Sequence, residues 1–242
     1  MNTPSECSPW GVLLDLDGTL LDTEAAWLRA VASLLPNDVE GAALASRVEG
    51  ESLQAAAGVI HARFGAGRTA TEIEGELERA AFAEFDRGIA WQAGAHELVT
   101  ELSTSAVPFA LVTSSPRHWV EHFSTIVDLS AFREIVTVDD VTRAKPHPQP
   151  YELGAARIGL PTQRCVVIED SDIGARAGIA AGCSVLVVRD ISRDPFEEAT
   201  RSLSSLHGVG LDALQQLVSR PQPSLSFASN PTSANPTPAR RK

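Results

Sequence analysis

The sequence predicts an α/β fold: a parallel sheet whose strands alternate with helices, interrupted once by a helical insertion. Two observations carry this expectation. Short apolar runs recur at Val12 to Leu14, Phe109 to Val112, Ile135 to Val138, Val166 to Ile168 and Val185 to Val188, the pattern of strands buried on both faces. Stretches with helical character separate them, except between Asp22 and about Gly88, where helical segments follow one another without a strand.

Taken in order, the first apolar run stops at Asp15, where polar residues begin. Within the insertion, a helix is expected from Glu24 to Leu35, with Trp27, Val31 and Leu34 or Leu35 on one side and Pro36-Asn37 as its stop. A later helix is expected to open on Thr71-Glu72-Ile73-Glu74, a capping-box pattern in which the Thr hydroxyl and Glu carboxylate satisfy the first free amides. Ile73, Leu77, Ala81 and Phe85 follow at near-helical spacing, as a buried stripe does. From Arg220 the chain is crowded with Pro, Ser, Asn and Thr and offers little to bury, so residues 220–242 read as a disordered tail.

The chain of 242 residues is long enough for one large domain or for a core domain carrying a smaller inserted one. Its 43% hydrophobic and 21% charged residues are those of a folded globular protein. With 20 Lys and Arg against 31 acids, the net charge of −11 speaks against a nucleic-acid partner, which needs a basic face. Cys7, Cys165 and Cys183 show no C-x-x-C spacing, and Cys165 and Cys183 read as buried thiols. The N-terminus lacks the basic and apolar segments of a signal peptide, and no apolar run approaches the roughly 20 residues of a membrane span. A cytoplasmic protein with no membrane partner is expected.

Asp15 and Asp17 lie two apart at the end of the first strand, so their side chains can converge on one site beyond the carboxyl end of the sheet. Alone, D-L-D-G could be a turn. Three later strand ends supply further groups. Thr113-Ser114-Ser115 offers a hydroxyl and backbone amides suited to phosphoryl oxygens, and also suits a helix N-cap, two roles that can coexist. Lys145, in T-R-A-K-P-H-P, offers a fixed positive charge, while the neighbouring His147 is expected to be structural or solvent-facing. Glu169-Asp170-Ser171-Asp172 offers carboxylates to a hard dication such as magnesium. Asp172 suits a cap or dipole partner of the Gly-rich helix that follows, and Gly174 and Gly178 would let that helix pack closely.

D-L-D-G-T, V-T-S, K-P and E-D-S-D-I-G-A-R-A-G, in this order from Gly11 to Val188, resemble the four motifs of the haloacid dehalogenase superfamily. The helical insertion resembles the cap of its phosphoglycolate phosphatase and β-phosphoglucomutase branch. The resemblance implies a Rossmann-like parallel-sheet core at residues 1–21 and 91–219 with an inserted α-helical cap at 22–90. It also implies an Mg²⁺-dependent phosphatase acting on a small phosphorylated metabolite. Asp15 would attack phosphorus, and Asp17 would protonate the leaving oxygen and then activate water. Thr113 and the Ser114 amide would bind the phosphoryl group, with Lys145 balancing charge. Asp15, the Asp17 carbonyl and Asp170 would hold Mg²⁺, and Glu169 would support it from behind or through water. Arg47, Glu51 and Ser52 resemble the cap loop that faces substrate. A dehalogenase is disfavoured because it has no leaving oxygen for Asp17 to protonate. A β-phosphoglucomutase-like mutase would use the same four motifs, and a catalytically silent binding module on this fold is the alternative from another class.

Overall fold

The computed structural model describes residues 9–48, 52–189 and 199–218. Residues 220–242, expected to form a tail, lie outside this range, as do Glu51 and Cys7. Six parallel strands form one sheet: β1 (Gly11–Leu14), β2 (Phe109–Val112), β3 (Ile135–Val136), β4 (Cys165–Glu169), β5 (Ser184–Val188) and β6 (Arg201–Leu203), in the order β3-β2-β1-β4-β5-β6. The five expected strands are present. β3 is shorter than its apolar run because Thr137 turns the chain into a 3₁₀ turn at Val138–Asp140. β6 was not legible, since Arg-Ser-Leu at a sheet edge is only partly covered and carries no apolar run.

Alternation along the strands divides the core between the two faces of the sheet. Val12, Leu14, Leu111, Val166 and Ile168 point into one apolar cluster, and Leu13, Ala110, Val112 and Val167 into the other. The first cluster runs on into the insertion through Ala30, Leu44, Ile60, Ile73 and Leu77.

The insertion consists of α1 (Glu24–Ser33), α2 (Val39–Arg47), α3 (Leu53–Phe64) and α4 (Ala70–Phe85), with α4 packed on α1 and α3. α1 starts where expected but ends at Ser33, so Leu34 and Leu35 leave the helix ahead of Pro36. The capping box of α4 belongs to Thr69 and Glu72, two residues before the expected Thr71 and Glu74. Both pairs fit the same spacing, but Gly67 at φ +89° turns the chain early enough for Thr69 to take the extended cap conformation. Ile73, Leu77, Ala81 and Phe85 are the buried stripe of α4.

The remaining helices are α5 (Ala95–Thr104), α6 (Arg117–Phe123), α7 (Gln149–Arg157), α8 (Asp172–Ala180) and α9 (Leu211–Val218). Where the insertion leaves and rejoins the sheet domain, Asp22 N donates to Ala90 O at 2.9 Å and Leu21 pairs with Trp91. No described helix is long and apolar enough to cross a membrane. Cys165 and Cys183 are buried free thiols.

Candidate active site

Register decides what gathers at the sheet's carboxyl edge. Leu14 stands opposite Leu111 on one side and Ile168 on the other, so β1, β2 and β4 end side by side. The residues just past these ends, Asp15 and Thr113, and the last residue of β4, Glu169, therefore share one edge. Asp15 N still donates to Ile168 O at 3.0 Å, which fixes its backbone against β4.

Lys145 joins these ends. Its Nζ donates to Asp15 Oδ1 at 2.7 Å, Glu169 Oε1 at 2.6 Å and Val112 O at 2.9 Å, so the ends of three strands contribute acceptors to one ammonium group. The side chain is 3% exposed. Burial opposes its charge, but Asp15 and Glu169 outweigh burial and hold Lys145 above its ordinary value.

The carboxylates crowd beyond what one lysine can neutralise. Oxygens of Asp15, Glu169 and Asp170 lie within 4.8 Å of one another. Burial first, and then repulsion from Glu169, push Asp15 well above the usual carboxylate range despite Lys145. The same two causes push Asp170 up to about 7, against the hydrogen bond that Thr19 Oγ1 donates to its Oδ1 at 3.2 Å. A buried, all-oxygen, anion-rich group of this kind suits a hard cation, which would relieve the repulsion. Asp15, Glu169 and Asp170 thus form a candidate metal site.

Asp17 faces a different set of partners. Its Oδ1 accepts from Thr23 Oγ1 at 3.1 Å, and its Oδ2 accepts from Thr113 Oγ1 at 3.1 Å and Ser115 Oγ at 2.7 Å. Ser115 N in turn donates to Thr113 Oγ1 at 2.9 Å. The Thr113-Ser114-Ser115 hydroxyls therefore do not cap α6, whose N-cap is Pro116 without a side-chain bond. Gly18 makes room for Asp170 instead: it holds φ +79°, and a Cβ there would stand 2.1 Å from Asp170 Oδ2.

Glu169 is held from three sides. Beyond Lys145, its Oε1 accepts from Tyr151 Oη at 2.5 Å, and its Oε2 accepts from Ser171 Oγ at 2.9 Å. Ser171, not Asp172, is the side-chain cap of α8 and accepts from Gly174 N at 3.0 Å. Asp172 sits in the first turn and pairs with Arg189 at 2.6 Å. Gly174 lets α8 pass over Glu169, and Gly178 lets it lie on Val167 and Val185.

The structure thus brings Asp15, Asp17, Thr113, Lys145, Glu169 and Asp170 to one edge. Ser114 is exposed beside them. Arg47 is exposed in the last turn of α2, and Ser52 caps α3 by accepting from Ala55 N at 3.2 Å. Thr19, Thr23, Ser115, Tyr151 and Ser171 are the partners that sequence reasoning missed. Ser115 and Ser171 lay inside motifs already noticed, and Tyr151 is the chain's single tyrosine, six residues past Lys145. His147 accepts from Gln149 N at 3.1 Å and serves its own turn.

The model of the haloacid dehalogenase-like hydrolases matches residues 12–188. Hexitol phosphatase A of Escherichia coli (strain K12) is 35% identical over 208 residues, covering 82% of this chain and 92% of the relative. Validoxylamine A 7'-phosphate phosphatase of Streptomyces hygroscopicus subsp. limoneus is 31% identical over 177 residues, covering 70% and 81%. Among solved structures, CbbY of Rhodobacter sphaeroides in complex with phosphate aligns with a TM-score of 0.71 at 24% identity, over 85% of this chain and 99% of that one. A β-phosphoglucomutase of Clostridium difficile aligns at 0.71 with 17% identity, over 87% and 97%. These two likenesses concern the fold. The helical insertion after the first strand, the acidic edge bridged by Lys145 and the family match agree, and the chain belongs to the haloacid dehalogenase-like hydrolases.

Proposed function

We propose that this chain is an Mg²⁺-dependent phosphatase that hydrolyses a small phosphate monoester, of the sugar or sugar-alcohol phosphate class, through an aspartyl phosphate on Asp15. The observation that carries the proposal is the triple contact of Lys145 Nζ with Asp15, Glu169 and Val112, which fixes one carboxylate against a buried cation at the ligand-binding edge of the sheet. The substrate class rests on the relatives, which act on hexitol phosphates and validoxylamine A 7'-phosphate by their names.

Asp15, Asp170 and the Asp17 carbonyl would hold the magnesium ion, with Glu169 behind them. Bound there, the ion would supply positive charge to the phosphoryl oxygens. Asp15 attacks phosphorus with a carboxylate oxygen, the bond from phosphorus to the leaving oxygen breaks, and Asp17 gives that oxygen its proton. Water then attacks phosphorus, passes a proton to Asp17, and the bond from phosphorus to Asp15 breaks to release phosphate. Lys145 orients Asp15 and balances phosphoryl charge, while the Thr113 hydroxyl and the Ser114 amide position the group. Residues 22–90 act as the cap that admits substrate and water, with Arg47, Glu51 and Ser52 as candidates for reading the leaving group.

Assays of wild type and Asp15→Asn against a panel of hexitol phosphates, sugar phosphates and phosphoglycolate, with Mg²⁺ and with EDTA, test this. Phosphate release by wild type with Mg²⁺ alone, and none by a folded Asp15→Asn, is expected. Full turnover by Asp15→Asn would overturn the nucleophile, and isomerised sugar phosphate in place of free phosphate would make the protein a mutase.

A further inference from the structure

Between the insertion and the sheet domain runs a seam of aromatic and histidine side chains that the proposed chemistry does not use. α4 contributes Glu78, Phe82 and Phe85, α1 contributes Trp27, and α6 contributes His118, Trp119, His122 and Phe123. Trp119 meets Phe82 and Phe85 with ring centroids 5.6 Å apart and Trp27 at 6.1 Å. Phe82 stacks on His122 at 4.2 Å, and Phe85 meets Phe123 at 5.0 Å.

The polar groups in this seam are unequally served. Glu78 Oε1 accepts from Trp119 Nε1 at 2.8 Å and pairs with His118 Nε2 at 2.7 Å. Burial favours the neutral acid at Glu78, but these two bonds outweigh it and keep the carboxyl below its ordinary value. By contrast, Trp27 is 8% exposed and its Nε1 has no hydrogen-bond partner among the described residues. His122 Nε2 lies 3.0 Å from Asp86 Oδ1 without alignment for a hydrogen bond. A buried donor left unpaired costs about 1–3 kcal/mol, so the docked arrangement carries a penalty that opening to water would relieve.

The two sides of the seam are anchored differently. α6 is tied to the sheet domain, since Arg117 N donates to Asp139 Oδ2 and Arg117 Nη2 to Asp140 Oδ2. The insertion joins that domain through the paired crossing at Leu21, Asp22, Ala90 and Trp91. α6 also begins two residues after Ser115, which holds Asp17. A rotation of the insertion about its crossing would slide α4 along α6, beside the loop that positions Asp17.

We propose that Glu78 is a latch that holds the insertion docked on α6 through Trp119 Nε1 and His118 Nε2, and that the unpaired N–H of Trp27 drives the insertion open when the latch is broken. The two groups act in opposite directions on the docked state, which the buried aromatic rings of the seam also favour. The latch does not depend on which substrate is used.

Spin labels on Val39→Cys, at an 88%-exposed position of α2, and on Glu121→Cys, exposed on α6, report the distance across the seam in a Cys7→Ser background. The buried thiols of Cys165 and Cys183 do not compete for label. A short-distance population is expected in the unmutated seam. Glu78→Ala and Trp119→Phe should each shift the docked-to-open ratio about tenfold towards a longer distance. Glu78→Gln, which keeps an accepting oxygen, should restore the short one, and Trp27→Phe should move the ratio towards docked. An unchanged distribution in both Glu78→Ala and Trp119→Phe would overturn the latch even where the melting temperature falls, as would opening by Trp27→Phe. The distances need no turnover, so failure of the phosphatase assays and failure of the latch are separate results.

Discussion

Tyr151 Oη donates to Glu169 Oε1 at 2.5 Å, and that same oxygen receives Lys145 Nζ at 2.6 Å. The ammonium also lies 5.0 Å over the Tyr151 ring, so one tyrosine fixes both the acid and the cation. Glu169 is 1% exposed, and its orientation sets the back wall of the candidate metal site. Tyr151→Phe keeps the ring and removes the hydroxyl. It should raise the Mg²⁺ concentration needed for half-maximal activity about tenfold with little loss at saturation. Metal titrations of activity check this, and an unchanged midpoint would remove Tyr151 from the metal's support.

Lys145 is the buried positive charge among the carboxylates of Asp15, Glu169 and Asp170. Replacing it with Met leaves those acids without their cation, and breaking a buried pair in this way costs about 3–5 kcal/mol. A divalent ion can take over part of the charge. Lys145→Met should therefore melt well below wild type in EDTA and gain more from added Mg²⁺ than wild type does. Thermal melts in both conditions decide it: equal gains would mean that the acidic group does not hold the metal.

The sheet and the acidic residues at its edge were legible because both depend on local signals. Apolar runs mark strands buried on both faces, and the residues that follow those runs are Asp15, Thr113 and Glu169-Asp170. Register then brings these together, which a sequence states only indirectly. Partners such as Thr23 for Asp17 and Tyr151 for Glu169 were hidden because a single hydroxyl has no pattern, and its role appears only once the chain has folded back on itself. The capping box of α4 failed for another reason: Thr69 with Glu72 and Thr71 with Glu74 obey one spacing rule, and the turn at Gly67 chose between them. β6 shows the limit of periodicity, since three residues at a half-covered edge are too short to carry any.

Asp140 ties the end of β3 to two helices. Its Oδ2 accepts from Thr137 N at 2.8 Å, Thr137 Oγ1 at 2.9 Å and Arg117 Nη2 at 2.6 Å, and its Oδ1 accepts from Arg157 Nη2 at 2.9 Å. Burial alone would raise this acid, but the bonds from Thr137 and Arg157 hold it well below its ordinary 3.8. A carboxyl lowered by folding adds stability that is complete above the unfolded value and fades as pH falls towards the folded one. Asp140→Asn should therefore cost about 2 kcal/mol at pH 7, and the gap to wild type should shrink below about pH 4. Urea unfolding at pH 7, 5 and 3 measures it, and a gap that stays constant to pH 3 would contradict the assignment.

Gly174 and Gly58 both stand inside helices, where replacing Gly with Ala ordinarily stabilises by about 0.5–1 kcal/mol. Their surroundings predict opposite results. At Gly58 in α3 an added Cβ meets nothing within 4 Å, so Gly58→Ala should raise stability by that amount and leave activity alone. At Gly174 the Cβ would stand 1.7 Å from Glu169 Oε1, the oxygen that Lys145 and Tyr151 share. The carboxylate has no room to retreat, because Ser171 holds its other oxygen. Gly174→Ala should therefore lose about 1–3 kcal/mol and lose activity with it, since either α8 lifts from β4 or Glu169 is driven off Lys145. Paired denaturation and turnover measurements on the two variants separate the cases. A stable, fully active Gly174→Ala would mean that the position of Glu169 does not matter to the site.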